Sequence, residues 1–145
     1  MTYCTDAHVE AKLPTTLDAA DLAIIEILRY RYYDYINMKL RPHLPAGVTP
    51  PLTPLNANDT RILTEIEALL CAGEFLKPYD DAPSGDERKG GQLLIKEAQD
   101  YLDDYIAALD AGTAGSSKRL ACFGVYRGRS SYEQDDRELD ADYYD

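Results

Sequence analysis

Proline placement constrains this chain more than any other feature of its 145 residues. Proline fixes φ and removes a backbone donor, so it cannot sit inside a regular helix or a central strand. Pro42, Pro45, Pro50, Pro51 and Pro54, together with Gly47, therefore make residues 42–58 a stiff surface loop, longer than most connections in compact domains. Pro14 and Pro78 punctuate the chain on either side of it.

The stretches between these breaks read as helices. Thr5 can cap a short helix running through Glu10 and Lys12. Asp18 then caps a long helix, with Asp21 three residues on, where a carboxylate also favours the helix N-terminus. That helix is predicted to run to about Leu40, because Pro42 disfavours helical geometry at Arg41. Asn58 or Asp59 caps the next one, whose apolar positions Ile62, Ile66, Leu69, Leu70 and Leu76 recur at spacings of three and four until Pro78. The polar, glycine-rich residues from Tyr79 to Gly91 are expected to form a mobile loop. A third long helix, Gln92 to Leu109, sets Leu94, Ala98, Tyr101, Leu102, Tyr105 and Leu109 on one face. Asp100, Asp103, Asp104 and Asp110 lie largely opposite, and Gly112 supplies a stop. The expectation is an all-α fold: a small bundle of three main helices plus a short N-terminal helix over residues 1–112. An extended C-terminal arm with an acidic tail is expected over residues 113–145.

Arg29-Tyr30-Arg31-Tyr32-Tyr33-Asp34-Tyr35 falls in the middle of the first long helix and holds more rings than one core can take. At about 100° per residue, Tyr32 and Tyr35 share the arc of Ile24, Ile25, Leu28 and Ile36, whereas Tyr30 and Tyr33 fall outside it. Tyrosine offers a large, stiff contact area with a polar tip and is enriched at interfaces. Tyr30 and Tyr33, with Arg29 and Arg31 beside them, are thus candidates for a subunit interface. The plainer reading is a pair of half-exposed tyrosines facing water.

Composition narrows the function classes. A net charge of −11 argues against conventional phosphate binding, which needs a concentrated basic footprint. Cys4, Cys71 and Cys122 lack the regular spacing of a disulfide framework and are expected to be free thiols in a reducing compartment. The start of the chain lacks a basic region followed by an apolar stretch, so no secretory leader is expected. No apolar run approaches the roughly 20 residues that span a bilayer, so no membrane association is expected.

No constellation carries obvious chemistry. Cys4 and His8 have a spacing that could place two metal ligands on one helical turn. His43, Cys71 and Cys122 supply no paired spacing to complete a zinc site. Cys71 reads as a core residue instead, and His43 as part of the proline loop. Neither histidine sits in a recognisable nucleophile motif. Gly90-Gly91 lacks the lysine and spacing of a phosphate loop. Asp103 and Asp104, adjacent on a helix, point in different directions and read as a solvated acidic face. The expectation is a protein without enzymatic activity, cofactor or metal.

After Gly112 a short apolar run, Leu120 to Tyr126, precedes a tail rich in acids and tyrosines. Residues beyond Asp135 have the composition of a disordered end. Tyrosines and arginines interleave just before them, and Tyr126, Arg127, Arg129 and Tyr132 are anchor types suited to a docking arm.

The order of these parts resembles a family. Tyr3-Cys4-Thr5-Asp6-Ala7-His8-Val9-Glu10-Ala11-Lys12-Leu13 looks like the start of the small head-tail connector proteins (adaptor or head-completion proteins) of Mu-like and related tailed phages. The long helix from Asp18 to Leu40, with Ala19-Ala20-Asp21 leading into Ile24-Ile25 and tyrosines, resembles their next element. The helices Asp59 to Lys77 and Gln92 to Leu109 and a C-terminal arm complete the likeness. The resemblance implies a structural virion protein at the neck, made in the host cytoplasm. It would form a homo-oligomeric ring of about twelve copies through heterologous contacts. Its partners would be the portal protein and a tail or tail-terminator (stopper) protein, with DNA passing through the channel without specific binding. An acidic channel wall would repel phosphates and let the duplex slide. The runner-up reading is an acidic helical protein that imitates DNA charge to occupy a nucleic-acid-binding partner. A third is a small metal-dependent enzyme or regulator using Cys4, His8 and His43.

Overall fold

The computed structural model describes residues 2–44, 50, 57–83 and 85–111. Four helices account for most of them: α1, Asp6–Glu10; α2, Ala19–Leu40; α3, Ala57–Leu76; and α4, Gly91–Asp110. The fold is all-α, with three long helices and one short one, as the periodicity predicts.

α2 begins where its acids place it. The Asp18 carboxylate accepts from the Asp21 N–H at 2.8 Å and the Asp21 carboxylate accepts from the Asp18 N–H at 3.2 Å, a reciprocal box that satisfies two orphan donors. It ends at Leu40 as expected, but not for the expected reason. Arg41 keeps helical angles (φ −49°, ψ −47°) despite preceding Pro42, and the chain tightens into a 3₁₀ turn, Arg41–His43. Pro42 costs nothing at the start of that turn, where its missing N–H would be unpaired anyway. Pro78 plays the same part in the 3₁₀ turn Lys77–Tyr79 after α3.

α3 is the central element. It packs against α1, α2 and α4, and residues 66–73 are buried without interruption. A fully enclosed stretch of helix must be apolar all round, and residues 66–73 obey this except at Glu67; Asp59 is the other buried acid of α3. Asp59 is a correction to the expected cap. It lies in the first turn of α3, buried, where its carboxylate accepts from the Tyr105 hydroxyl at 2.9 Å.

Two connected clusters make the core. Ile36 and Leu40 of α2 meet Ile62, Leu63, Ile66 and Leu70 of α3 and Ala98, Leu102 and Tyr105 of α4. Ile25 and Leu28 of α2 meet Ala68, Cys71 and Ala72 of α3, with Cys4 and Val9 of the N-terminal segment. α3 and α4 approach closely at Gly73 and Gly91. A Cβ added at Gly91 would lie 2.5 Å from the Gly73 carbonyl oxygen and 2.5 Å from the Lys77 nitrogen.

The segment between α3 and α4 is not the mobile loop expected. The Asp80 carboxylate accepts from the N–H groups of Gly90, Gly91 and Gln92 at 2.8–2.9 Å, capping α4 from ten residues upstream. These three donors hold its carboxyl below the usual carboxylate range. Arg88 bonds Asp86 and lies over the Tyr79 ring, 4.2 Å from its centroid. Gly90 turns the chain into α4 at φ +109°, a conformation that glycine adopts without a steric penalty.

Candidate subunit interface

α2 has three sides, and each meets a different environment. Its core side is Ile25, Leu28, Ile36 and Leu40, with Tyr32 and Tyr35 half-buried against the two clusters. The Tyr32 hydroxyl donates to Glu74 of α3 at 3.2 Å, and its ring meets Tyr35 edge-on, 6.1 Å between centroids. Burial, with Glu74 beside it, pushes the Tyr32 hydroxyl well above the usual phenol value. The expected inward turn of Tyr32 and Tyr35 is what the structure has.

The second side carries the N-terminal segment. Arg29 donates to the Cys4 carbonyl at 2.8 and 3.1 Å, to the Asp6 carboxylate at 2.6 Å and to the Thr2 hydroxyl at 2.6 Å. One helical turn on, Tyr33 packs on Tyr3 with ring centroids 5.0 Å apart. A further turn on, Asn37 accepts from the Tyr3 hydroxyl. Two of the four interface candidates, Arg29 and Tyr33, are therefore engaged within the chain. The reason is tertiary: residues 2–9 fold back over them. On the α3 side the same segment is held by the Glu67 carboxylate, which accepts from the Cys4 N–H, and by the Thr64 hydroxyl, which donates to the Tyr3 carbonyl at 2.9 Å. Lys12 pairs with Glu65 beyond it.

The third side is open. Ile24 (49% exposed), Ile27 (62%), Tyr30 (51%) and Met38 (57%) fall within about 120° of arc, with the exposed Arg31 and Asp34 among them. Ile24 was expected in the core arc and is instead on this side, because α3 meets α2 about one residue further round, at Ile25 and Leu28. Tyr30 and Arg31 remain exposed. Sequence reasoning misses Ile27 and Met38; the available signal is that α2 carries apolar residues on every side, among its charges.

The metal candidates have other roles. Cys4 is buried beside Cys71, and both are free thiols. A hydrogen bond with Cys71, burial and the nearby Glu67 carboxylate together push the Cys4 thiol well above its ordinary value, so it is a poor nucleophile and ligand. His8 Nδ1 accepts from the Thr5 N–H at 3.0 Å, completing the cap of α1. His43 pairs with Asp110 at 2.7 Å, joining the end of α2 to the end of α4. Among the described residues no group of His, Cys, Asp and Glu is arranged to hold a metal, and no helix is long and apolar enough to cross a membrane. Tyr126, Arg127, Arg129 and Tyr132 of the expected arm, and the tail beyond them, lie outside the described residues.

No protein-family model, curated protein or solved structure matches this chain.

Proposed function

We propose that this chain is a structural subunit of a phage neck, a head-tail connector that joins copies of itself into a ring between portal and tail. The observation that carries the reading is the open side of α2. A helix already packed on two sides still presents Ile24, Ile27, Tyr30 and Met38 to solvent, and exposed apolar patches of this kind mark contact surfaces. Tyr30 and Arg31 are the parts of the tyrosine run available to such a contact, while Arg29 and Tyr33 support it from within by fixing the N-terminal segment.

The test is reconstitution with portal-bearing heads, followed by symmetric reconstruction of the particle. A ring of this chain below the portal, with the open side of α2 buried between neighbours, is the expected result. Deletion of residues 126–145 should leave the helices intact and abolish incorporation. Normal incorporation of the shortened chain would remove the docking role of the arm, and failure of the full chain to join heads would overturn the connector reading.

A second reading has its own observation. Glu97, Asp103 and Asp110 are exposed on the outer side of α4, with Asp100 and Asp104 half-buried among them, an acidic row compatible with imitation of a nucleic-acid backbone. A tight complex with a DNA-binding protein, weakening steeply as salt rises, would favour it over the neck.

A further inference from the structure

The open side of α2 has a pattern beyond its apolarity. Ala20, Ile24, Ile27, Arg31, Asp34 and Met38 are all exposed, and their spacings are four, three, four, three and four. That is the a/d repeat of a coiled-coil seam, carried over almost the whole 22-residue helix on the side that faces solvent. We propose that in the unassembled protein two copies pair through this seam, with their α2 helices antiparallel about a two-fold axis between Arg31 and Asp34.

The charges choose both partner and direction. In a parallel pair each seam residue meets its own copy, so Arg31 would face Arg31 and Asp34 would face Asp34 at the centre, two like-charge contacts. In an antiparallel pair centred between them, Arg31 of each copy faces Asp34 of the other, and two opposite-charge contacts form. The same register sets Ile27 against Met38 twice and Ile24 against the aliphatic stem of Arg41 twice. Such a surface is complementary to itself, which is what a two-fold interface requires. Charged residues at seam positions fix register and orientation more than they add affinity.

The contact is short. In this register residues 25–40 of the two copies of α2 lie alongside each other, an overlap of roughly 24 Å. Such a helix pair buries at most about 1,000 Å² in total, no more than the low end for specific interfaces. With charged residues at the centre of so short a seam, the pair is expected to dissociate in the micromolar range, weak enough to release the face for other contacts. Pairing does not rest on the neck assignment: a chain that never enters a virion could still dimerise, and a ring could form from a monomer.

Sedimentation equilibrium of the full chain across the micromolar range tests it, with far-UV circular dichroism confirming the fold of each variant. The wild-type chain should show a monomer–dimer equilibrium. Arg31→Asp alone and Asp34→Arg alone each turn both central contacts into like-charge ones and should weaken pairing on the order of tenfold or more. The double variant R31D/D34R restores opposite charges only if the helices are antiparallel, and should dimerise like wild type. Wild-type chain that stays monomeric would overturn the proposal, and so would a dimer indifferent to the single reversals. Dimers weakened further by the double variant would overturn the antiparallel arrangement.

Discussion

Replacing Glu67 by glutamine should flatten the pH dependence of this protein's stability near neutrality. Glu67 is fully buried in α3; one carboxylate oxygen accepts from the Cys4 N–H, and the other has no partner among the described residues. Burial pushes the carboxyl up from 4.5 to about 7, even though the Cys4 N–H and the Arg29 charge favour the ionised form. Between those two values the folded chain holds a proton that the unfolded chain has released. The stabilisation from that proton is fully present below 4.5, declines as pH rises and is gone above about 7. At 1.36 kcal/mol per unit, the loss over the window is about 3 kcal/mol. Urea unfolding at a series of pH values from 4.5 to 8 measures it. The Gln variant should lie close to wild type at the acid end and gain on it steadily, by about 3 kcal/mol at pH 8 relative to its position at pH 4.5. Taking the difference between the two proteins cancels the other acids of the chain. Parallel curves for the two would refute the reasoning, because they would mean that Glu67 titrates alike in the folded and unfolded states.

Gly91→Ala should destabilise by about 1–3 kcal/mol, since the added methyl meets the backbone of α3, which cannot yield as a side chain would. An unchanged melting temperature would show that the helices part there without strain. Arg29→Ala removes three anchors of the N-terminal segment at once. Faster hydrogen exchange at residues 4–9, with the α3–α4 contact unaffected, is the expected result, and uniform loss of protection would contradict it. Tyr105→Phe deletes the buried hydroxyl that donates to Asp59 and should cost about 1–2 kcal/mol by denaturant unfolding.

The helices of this chain were legible in its sequence because their signals are local. Asp18 and Asp21 cap α2 as read, the α3 periodicity holds from Ile62 to Leu76, and Tyr101, Leu102 and Tyr105 face inward. What escaped depends on contacts between distant residues. A helix with apolar residues on every side does not declare which side faces the core, so Ile24 reads as inward where Ile25 and Leu28 fill that place. Tyr33 and Arg29 read as outward because nothing local indicates that residues 2–9 fold back over them. Asp80 illustrates the same limit. Its three acceptor contacts join two ends of a polar stretch whose composition alone suggests mobility.

The folded-back N-terminal segment also fixes an order of events. Cys4 is made before α3, yet the carboxylate that receives its N–H lies 63 residues further along, and the Thr64 hydroxyl that reaches Tyr3 lies 61 further along. Neither contact can form before α3 has been made, and closing so long a loop costs more entropy than forming a local contact. Cys4, Val9 and the ring of Tyr3 therefore stay uncovered until α2 and α3 have met, and the two thiols are most exposed to oxidation or mispairing in that interval. A segment made before its partners is thus sealed only after they have been made.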